Sequence, residues 1–297
     1  MDLPAKKSLG QHFLTSRHVL EQIISASKIQ KGEYILEIGP GTGILTRSLL
    51  EAGANVLAIE KDNRAIDLLR EKFSNECQNG QLSVIEGDIL DKTFNFIDLF
   101  SDFKRNNPYS EPKYGNNSVK RANYSIVSNI PYYITGAILE KFLEHEPRPN
   151  RMILLVQKEV ADRIVSRSST DIEKGNRKES ILSISVKAFG EPYFIAKVPR
   201  GAFSPPPNVD SAILTIENIS DHHFKENNVD INDFFSILKA GFAHKRKFAL
   251  NNITERIPDI EKIENIRKTW SDLKLDNKIR AEKISLSDWF LIASKIS

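Results

Sequence analysis

The chain has one cysteine, Cys77, and only two methionines and two tryptophans among 297 residues. A lone cysteine excludes an internal disulfide and any multi-cysteine metal cluster, and it fits a reducing compartment. An excess of one charge sign is also missing, since 42 Lys and Arg stand against 39 Asp and Glu and leave a net +3. Affinity for a polyanion must then come from local clusters of side chains. No apolar run approaches the ~20 residues of a membrane span, and Met1 to Leu14 has no apolar stretch long enough for a signal peptide. A cytoplasmic protein without membrane contact is expected, and a monomer. His222-His223 has no further ligand cluster around it, so no metal site is expected. Internal repeats and long low-complexity tracts are absent.

What the chain does have is strands alternating with helices. Tyr34 to Ile38 is a short apolar run, followed by a glycine-rich turn, an amphipathic stretch ending near Gly53 and a second apolar run, Asn55 to Ile59. The alternation continues with a helix over 62–73, strands over 82–85 and 124–128, a helix over 135–143 and an apolar strand over 152–156. Strands over 192–198 and 211–216 flank the segment Phe203-Ser204-Pro205-Pro206-Pro207. This pattern predicts an α/β domain whose mostly parallel sheet is covered on both faces. Beyond residue 220 the pattern is helical, most clearly over 231–242 and 286–296. A sheet domain over 1–219 and a small all-helical domain over 220–297 are therefore expected. Trp270 and Trp289 read as core residues of the latter. Two polar stretches, 101–123 and 166–178, read as mobile surface insertions.

Glu37-Ile38-Gly39-Pro40-Gly41-Thr42-Gly43 sits where a strand should end and a helix begin. Glycines such as Gly39 and Gly41 let the backbone turn tightly and approach a ligand closely. The next strand ends in Glu60, where a βαβ nucleotide fold places the acid that takes ribose hydroxyls. A nicotinamide dehydrogenase would need a third glycine in G-x-G-x-x-G, but counting from Gly39 that position is Ile44. The smaller, zwitterionic end of S-adenosylmethionine suits this turn better than a pyrophosphate does. Asp88, just past the third strand, can accept from the cofactor's adenine amine.

Asn129-Ile130-Pro131-Tyr132 follows a buried-looking strand. An adenine amine is a poor nucleophile until it is held, because its lone pair is delocalised into the ring. The Asn129 side-chain oxygen and the Ile130 carbonyl can accept its two hydrogens, Pro131 fixes the turn, and Tyr132 offers a face for a splayed base. A strong general base is not required, since the sulfonium is already a good leaving group.

Ser8 to Leu14, Glu37 to Gly43, Asn129 to Tyr132 and Phe203 to Ala212, in this order, resemble the ribosomal RNA adenine dimethyltransferase family in its bacterial small-subunit branch. The resemblance implies a Rossmann-like methyltransferase sheet of seven strands with one antiparallel. It also implies a helical C-terminal domain that grips RNA. His12 and Leu14 would line the cofactor pocket with Gly39, Gly41, Glu60, Asp88 and Asn129, and Phe203 would stack on the target base opposite Tyr132. The implied substrate is small-subunit rRNA within a pre-30S particle, dimethylated at two adjacent adenosines in the loop of its 3′-terminal helix. Basic residues cluster at several places, of which His244-Lys245-Arg246-Lys247 resembles the family's basic C-terminal motif, so Lys245, Arg246 and Lys247 are candidate phosphate contacts. Two alternatives remain open here: a macrolide-resistance type that methylates large-subunit rRNA, and a noncatalytic RNA-binding relative.

Overall fold

The computed structural model describes residues 3–6, 9–106, 123–165 and 179–296; most of the 101–123 insertion and all of 166–178 lie outside them. Contacts divide the chain into two compact units, Met1–Ala161 with Pro192–Ile219, and Asp162–Glu191 with Ser220–Ser297.

Among the described residues nine strands run in chain order: β1 (Phe13–Leu14), β2 (Tyr34–Ile38), β3 (Asn55–Glu60), β4 (Leu82–Glu86), β5 (Ser125–Asn129), β6 (Met152–Gln157), β7 (Glu191–Val198), β8 (Phe203–Ser204) and β9 (Ser211–Glu217). Seven of them form one sheet in the order β4-β3-β2-β5-β6-β9-β7, while β1 and β8 pair separately. β4, β3, β2, β5 and β6 are mutually parallel, and β9 runs antiparallel to β6 with Met152 opposite Ile216. The near-continuous apolar composition of β2, β3 and β6 follows from burial on both sheet faces.

Parallel pairing puts the carboxyl ends of β4, β3, β2 and β5 along one edge. Chain order reverses direction at β2, whose neighbours are β3 on one side and β5 on the other, and a crevice opens at such a switch point. The fold therefore delivers Asp88, Glu60, the Gly39–Gly43 turn and Asn129 to that edge in this spatial sequence.

The helix Phe96–Asn106 corrects the expected start of the first insertion, because residues 101–106 are helical. Sequence polarity hides its buried stripe: Phe96, Phe100 and Phe103 face inward and pack with Tyr34 and Tyr124 at centroid separations of 4.9–6.0 Å. Rings of this size each bury about 150–250 Å², enough to hold an otherwise charged segment to the sheet.

The second unit differs from the expected single cut at residue 220. The helix Ile181–Phe189 clusters with the C-terminal helices. Phe189 lies 4.8 Å from Phe224 and 6.0 Å from Phe235, and Phe234 stacks on Phe290 at 4.5 Å. These aromatics bind a segment that precedes the last sheet strands to helices that follow them. Trp270 and Trp289 are buried in this unit. Among the described residues no helix is long and apolar enough to cross a membrane.

Candidate active site

A cavity of 240 Å³ lies at the switch point and is lined by every expected cofactor residue: His12, Leu14, Gly39, Gly41, Glu60, Asp88 and Asn129. Ile130, Pro131 and Tyr132 line it as well. The turn after β2 needs its glycines, since Gly39 and Gly41 have φ of +67° and +55°. At Gly41 a Cβ would also stand 2.9 Å from the Phe13 ring, so a side chain there would fill the cradle.

Glu60, 6% exposed, holds this turn against the next strand. Its Oε2 accepts from Gly41 N at 3.1 Å, and its Oε1 accepts from Lys61 N at 2.8 Å and Asp62 N at 2.9 Å. A carboxylate has about four acceptor positions, so about one stays open toward the cavity. The expectation that Glu60 takes both ribose hydroxyls is thereby sharpened: it fixes the loop's shape first and offers fewer acceptors than an isolated carboxylate. Asp88 is similarly engaged, accepting from Lys61 Nζ at 2.7 Å and Leu90 N at 2.9 Å, and the Lys61 hydrogen bond leads in holding its carboxyl below the usual range.

Glu37 is a cavity-lining residue to which the sequence reading assigned no role of its own. It is 1% exposed and bonds the Thr46 hydroxyl at 2.7 Å. Burial, reinforced by the nearby Glu60 charge and opposed by the Thr46 bond, pushes its carboxyl up to about 8. A folded-state value above the ordinary 4.5 means the fold retains a proton that the unfolded chain releases. Its contribution to stability is present in full below the ordinary value and is lost as pH rises through the raised one, at about 1.4 kcal/mol per pH unit between them. Glu37→Gln, neutral at every pH, is expected to remove this slope. Urea unfolding at pH values of about 5.5 and about 7.5 checks it: the variant's stability relative to the parent should rise with pH, and a constant difference would rule out the protonated carboxyl.

At the end of β5, the Ser128 hydroxyl donates to the Ile38 carbonyl at 2.5 Å and fastens the strand beneath the glycine turn. Asn129 Nδ2 donates to the His12 carbonyl at 3.2 Å. A carbonyl only accepts, so the amide nitrogen must face it and Oδ1 is left for the cavity side. Ile130, 1% exposed, pins the turn to the core, and Ile134 N donates to Pro131 O at 3.1 Å. Tyr132 is fixed at both ends, with its hydroxyl 2.5 Å from Ser211 Oγ and its ring stacked on His12 at 5.9 Å and 23°. His12 Nδ1 lies 2.9 Å from the Pro205 carbonyl and so carries the ring proton as donor.

Phe203 is not among the residues that line the cavity. Expected to face Tyr132 across the target base, it is 4% exposed and belongs to the buried cluster that contains Leu14, Val198 and Ala202. β8 pairs with β1, which sets Phe203 opposite Leu14. The ring beside Tyr132 is His12.

In the second unit, Lys245, Arg246 and Lys247 are exposed and lie beyond the helix Ile231–Gly241, on a turn pinned by Asn252 Nδ2 to Gly241 O at 2.8 Å and His244 O at 3.1 Å. Lys247 is paired with Glu255 at 3.0 Å. Exposed pairs of this kind are weak, and phosphate can compete for the lysine.

The family model of the ribosomal RNA adenine dimethylases matches residues 3–297. The chain belongs to the ribosomal RNA adenine dimethylase family. Among curated relatives in this family, the ribosomal RNA small subunit methyltransferase A of Dehalococcoides mccartyi strain BAV1 is 35% identical over 97% of this chain and 87% of its own. That of Fusobacterium nucleatum is 33% identical over 100% and 98%. The crystal structure of a dimethyladenosine transferase from Plasmodium falciparum superposes with a TM-score of 0.69 at 26% identity, covering 95% of this chain and 96% of the other. Like that enzyme, this member of the adenine dimethylase family has a Rossmann-like methyltransferase sheet.

Proposed function

We propose that this chain dimethylates N6 of two adjacent adenosines in the 3′-terminal helix loop of small-subunit rRNA, acting on a pre-30S particle with S-adenosylmethionine as donor. The observation that carries the reading is the Asn129 amide, whose nitrogen is bound to the His12 carbonyl so that its oxygen is left for a cavity also lined by Tyr132.

The cavity's residues fit the cofactor by chemistry. Carboxylates at Glu60 and Asp88 suit hydroxyl and amine donors, and Ile59 and Ile89 supply apolar walls for a nucleobase. When bound, S-adenosylmethionine supplies an electrophilic methyl on a sulfonium. Asn129 Oδ1 and the Ile130 carbonyl then hold the two amine hydrogens of the target adenine, turning its nitrogen lone pair toward the methyl. Tyr132 presents a ring for the extruded base, and its bond to Ser211 stops the ring from swinging away. The nitrogen becomes acidic once methylated, and its proton passes to water. Lys245 and Arg246 are proposed phosphate contacts, with Lys247 recruited from Glu255.

The test is mass mapping of methylated adenosines on small subunits from a strain lacking the protein, before and after treatment with the purified chain and cofactor. Two neighbouring adenosines should gain dimethyl marks. Methylation of large-subunit RNA alone would overturn the small-subunit assignment, and no methylation of either would support the noncatalytic reading.

A further inference from the structure

Asp62 has no part in the reaction described above, yet it is a hub of the molecule. It is 2% exposed and lies two residues past Glu60, whose carboxylate accepts its backbone N–H. Its own carboxylate caps the helix Asn63–Lys72 through Arg64 N and binds the Arg64 guanidinium at 2.6 Å. The same carboxylate reaches far back along the chain, accepting from Lys6 Nζ and from Gln11 Nε2, each at 3.2 Å. Gln11 is oriented from both ends, because its Oε1 accepts from Lys6 N at 2.8 Å.

The residue after Gln11 is His12, whose carbonyl takes the Asn129 amide hydrogen and whose ring stacks on Tyr132. Phe13 lies against Gly41. A three-residue stretch thus touches the segment after β3, the end of β5 and the glycine turn in succession. Two of these contacts set groups on which the proposed methyl transfer depends: the facing of the Asn129 amide and the lie of the Tyr132 ring.

We infer that Gln11 and Asp62 are positioning residues for Asn129, acting through the His12 carbonyl. Asp62 anchors Gln11, Gln11 fixes the backbone of His12, and His12 decides which atom Asn129 turns toward the substrate. An amide released from this hold can flip and present its NH2 to the amine, a donor facing a donor. A neutral Asn at position 62 places one NH2 where a carboxylate oxygen now meets the donors of Lys6, Gln11 and Arg64, so Asp62→Asn should loosen the anchor while keeping the helix cap.

This inference rests on the proposed methyl transfer only for its kinetic consequence, and its first test needs no activity. In full-length protein carrying 15N-labelled asparagine, the Asn129 side-chain amide signal is assigned by its loss in Asn129→Asp. It should move toward the position of an unbonded amide in Gln11→Leu and in Asp62→Asn. Gln11→Asn, one methylene too short to reach Asp62, serves as the second variant should the leucine variant fold poorly. An unmoved signal in the folded variants would overturn the inference.

The second test measures transfer at saturating cofactor. A fall in kcat of about tenfold with the KM for RNA unchanged is expected, in line with the sensitivity of rate to small misplacements of reacting groups. Gln11→Leu combined with Asp62→Asn should be no slower than the worse single variant, because both act along one line. Weaker cofactor binding with kcat intact would instead make Gln11 a cofactor contact and sink the positioning role. Should the parent protein methylate no small-subunit RNA, the functional reading fails while the amide spectrum still decides this one.

Discussion

Replacing Asn129 with alanine is expected to lower kcat by about a thousandfold, comparable to the loss of a dedicated transition-state hydrogen bond in other enzymes. The change removes the acceptor that holds the amine, and no neighbouring side chain can replace it: the Tyr132 hydroxyl is tied to Ser211 and Ser128 is spent on Ile38. It also frees the His12 carbonyl. The fold should survive, since Asn129 is the last residue of β5 and its side chain is only partly buried. Single-turnover transfer of labelled methyl groups, alongside RNA binding by the same variant, checks this. Retained RNA affinity with transfer nearly gone is the expected pair of results, and unchanged turnover would refute the amine-holding role.

The second large effect is expected from Glu60→Ala, in cofactor affinity. Hydrogen bonds to a charged group contribute about 1.5–3 kcal/mol each, and this carboxylate holds three backbone N–H groups besides the acceptor position it offers the cavity. Truncation leaves the Gly41, Lys61 and Asp62 N–H groups without their acceptor and releases the glycine turn from β3. A loss of at least about a hundredfold in cofactor affinity follows from one such bond and the loosened loop. Calorimetry with S-adenosylmethionine or its demethylated product measures it. Affinity within a factor of about two of the parent would reject Glu60 as a cofactor residue. Glu60→Gln separates the two roles, because its oxygen can accept from one side of the loop while its NH2 repels the N–H groups on the other.

Much of this was legible in the residues themselves. Short motifs at strand ends name their own positions, because the carboxyl edge of a parallel sheet is where a βαβ chain can put backbone and side chains against a ligand. Gly39, Glu60, Asp88 and Asn129 can therefore be placed from the alternation of strands and helices alone, and the structure brings them to one cavity.

Side-chain direction was less legible. Phe203 looked like a ring facing the substrate, but β1 and β8 are two residues long each and carry no periodicity that a sequence can display. In the structure Phe203 is buried opposite Leu14, and His12 is the ring stacked on Tyr132. Glu37 gave no hint of its raised carboxyl, which depends on burial near Glu60. The second half of the helix Phe96–Asn106 carries a loop-like composition because charged residues interrupt its aromatic stripe. Nor did the pattern beyond residue 220 show that Ile181–Phe189 joins it, since contacts between aromatics so far apart along the chain leave no local signature.

The pairing of β1 with β8 has a bearing on how the protein is made. Thr15 N donates to the Ala202 carbonyl at 2.8 Å, His12 bonds the Pro205 carbonyl, and Leu14 lies opposite Phe203. One wall of the cavity, built from residues 12–15, thus waits for partners nearly two hundred positions later. β2 to β5 can pair before then, but the segment that orients Asn129 gains its β8 partners only once residue 205 has emerged. Closing so long a loop is entropically slow. A nascent chain therefore acquires its sheet well before it acquires a finished site, and truncated products of translation are left without a competent one.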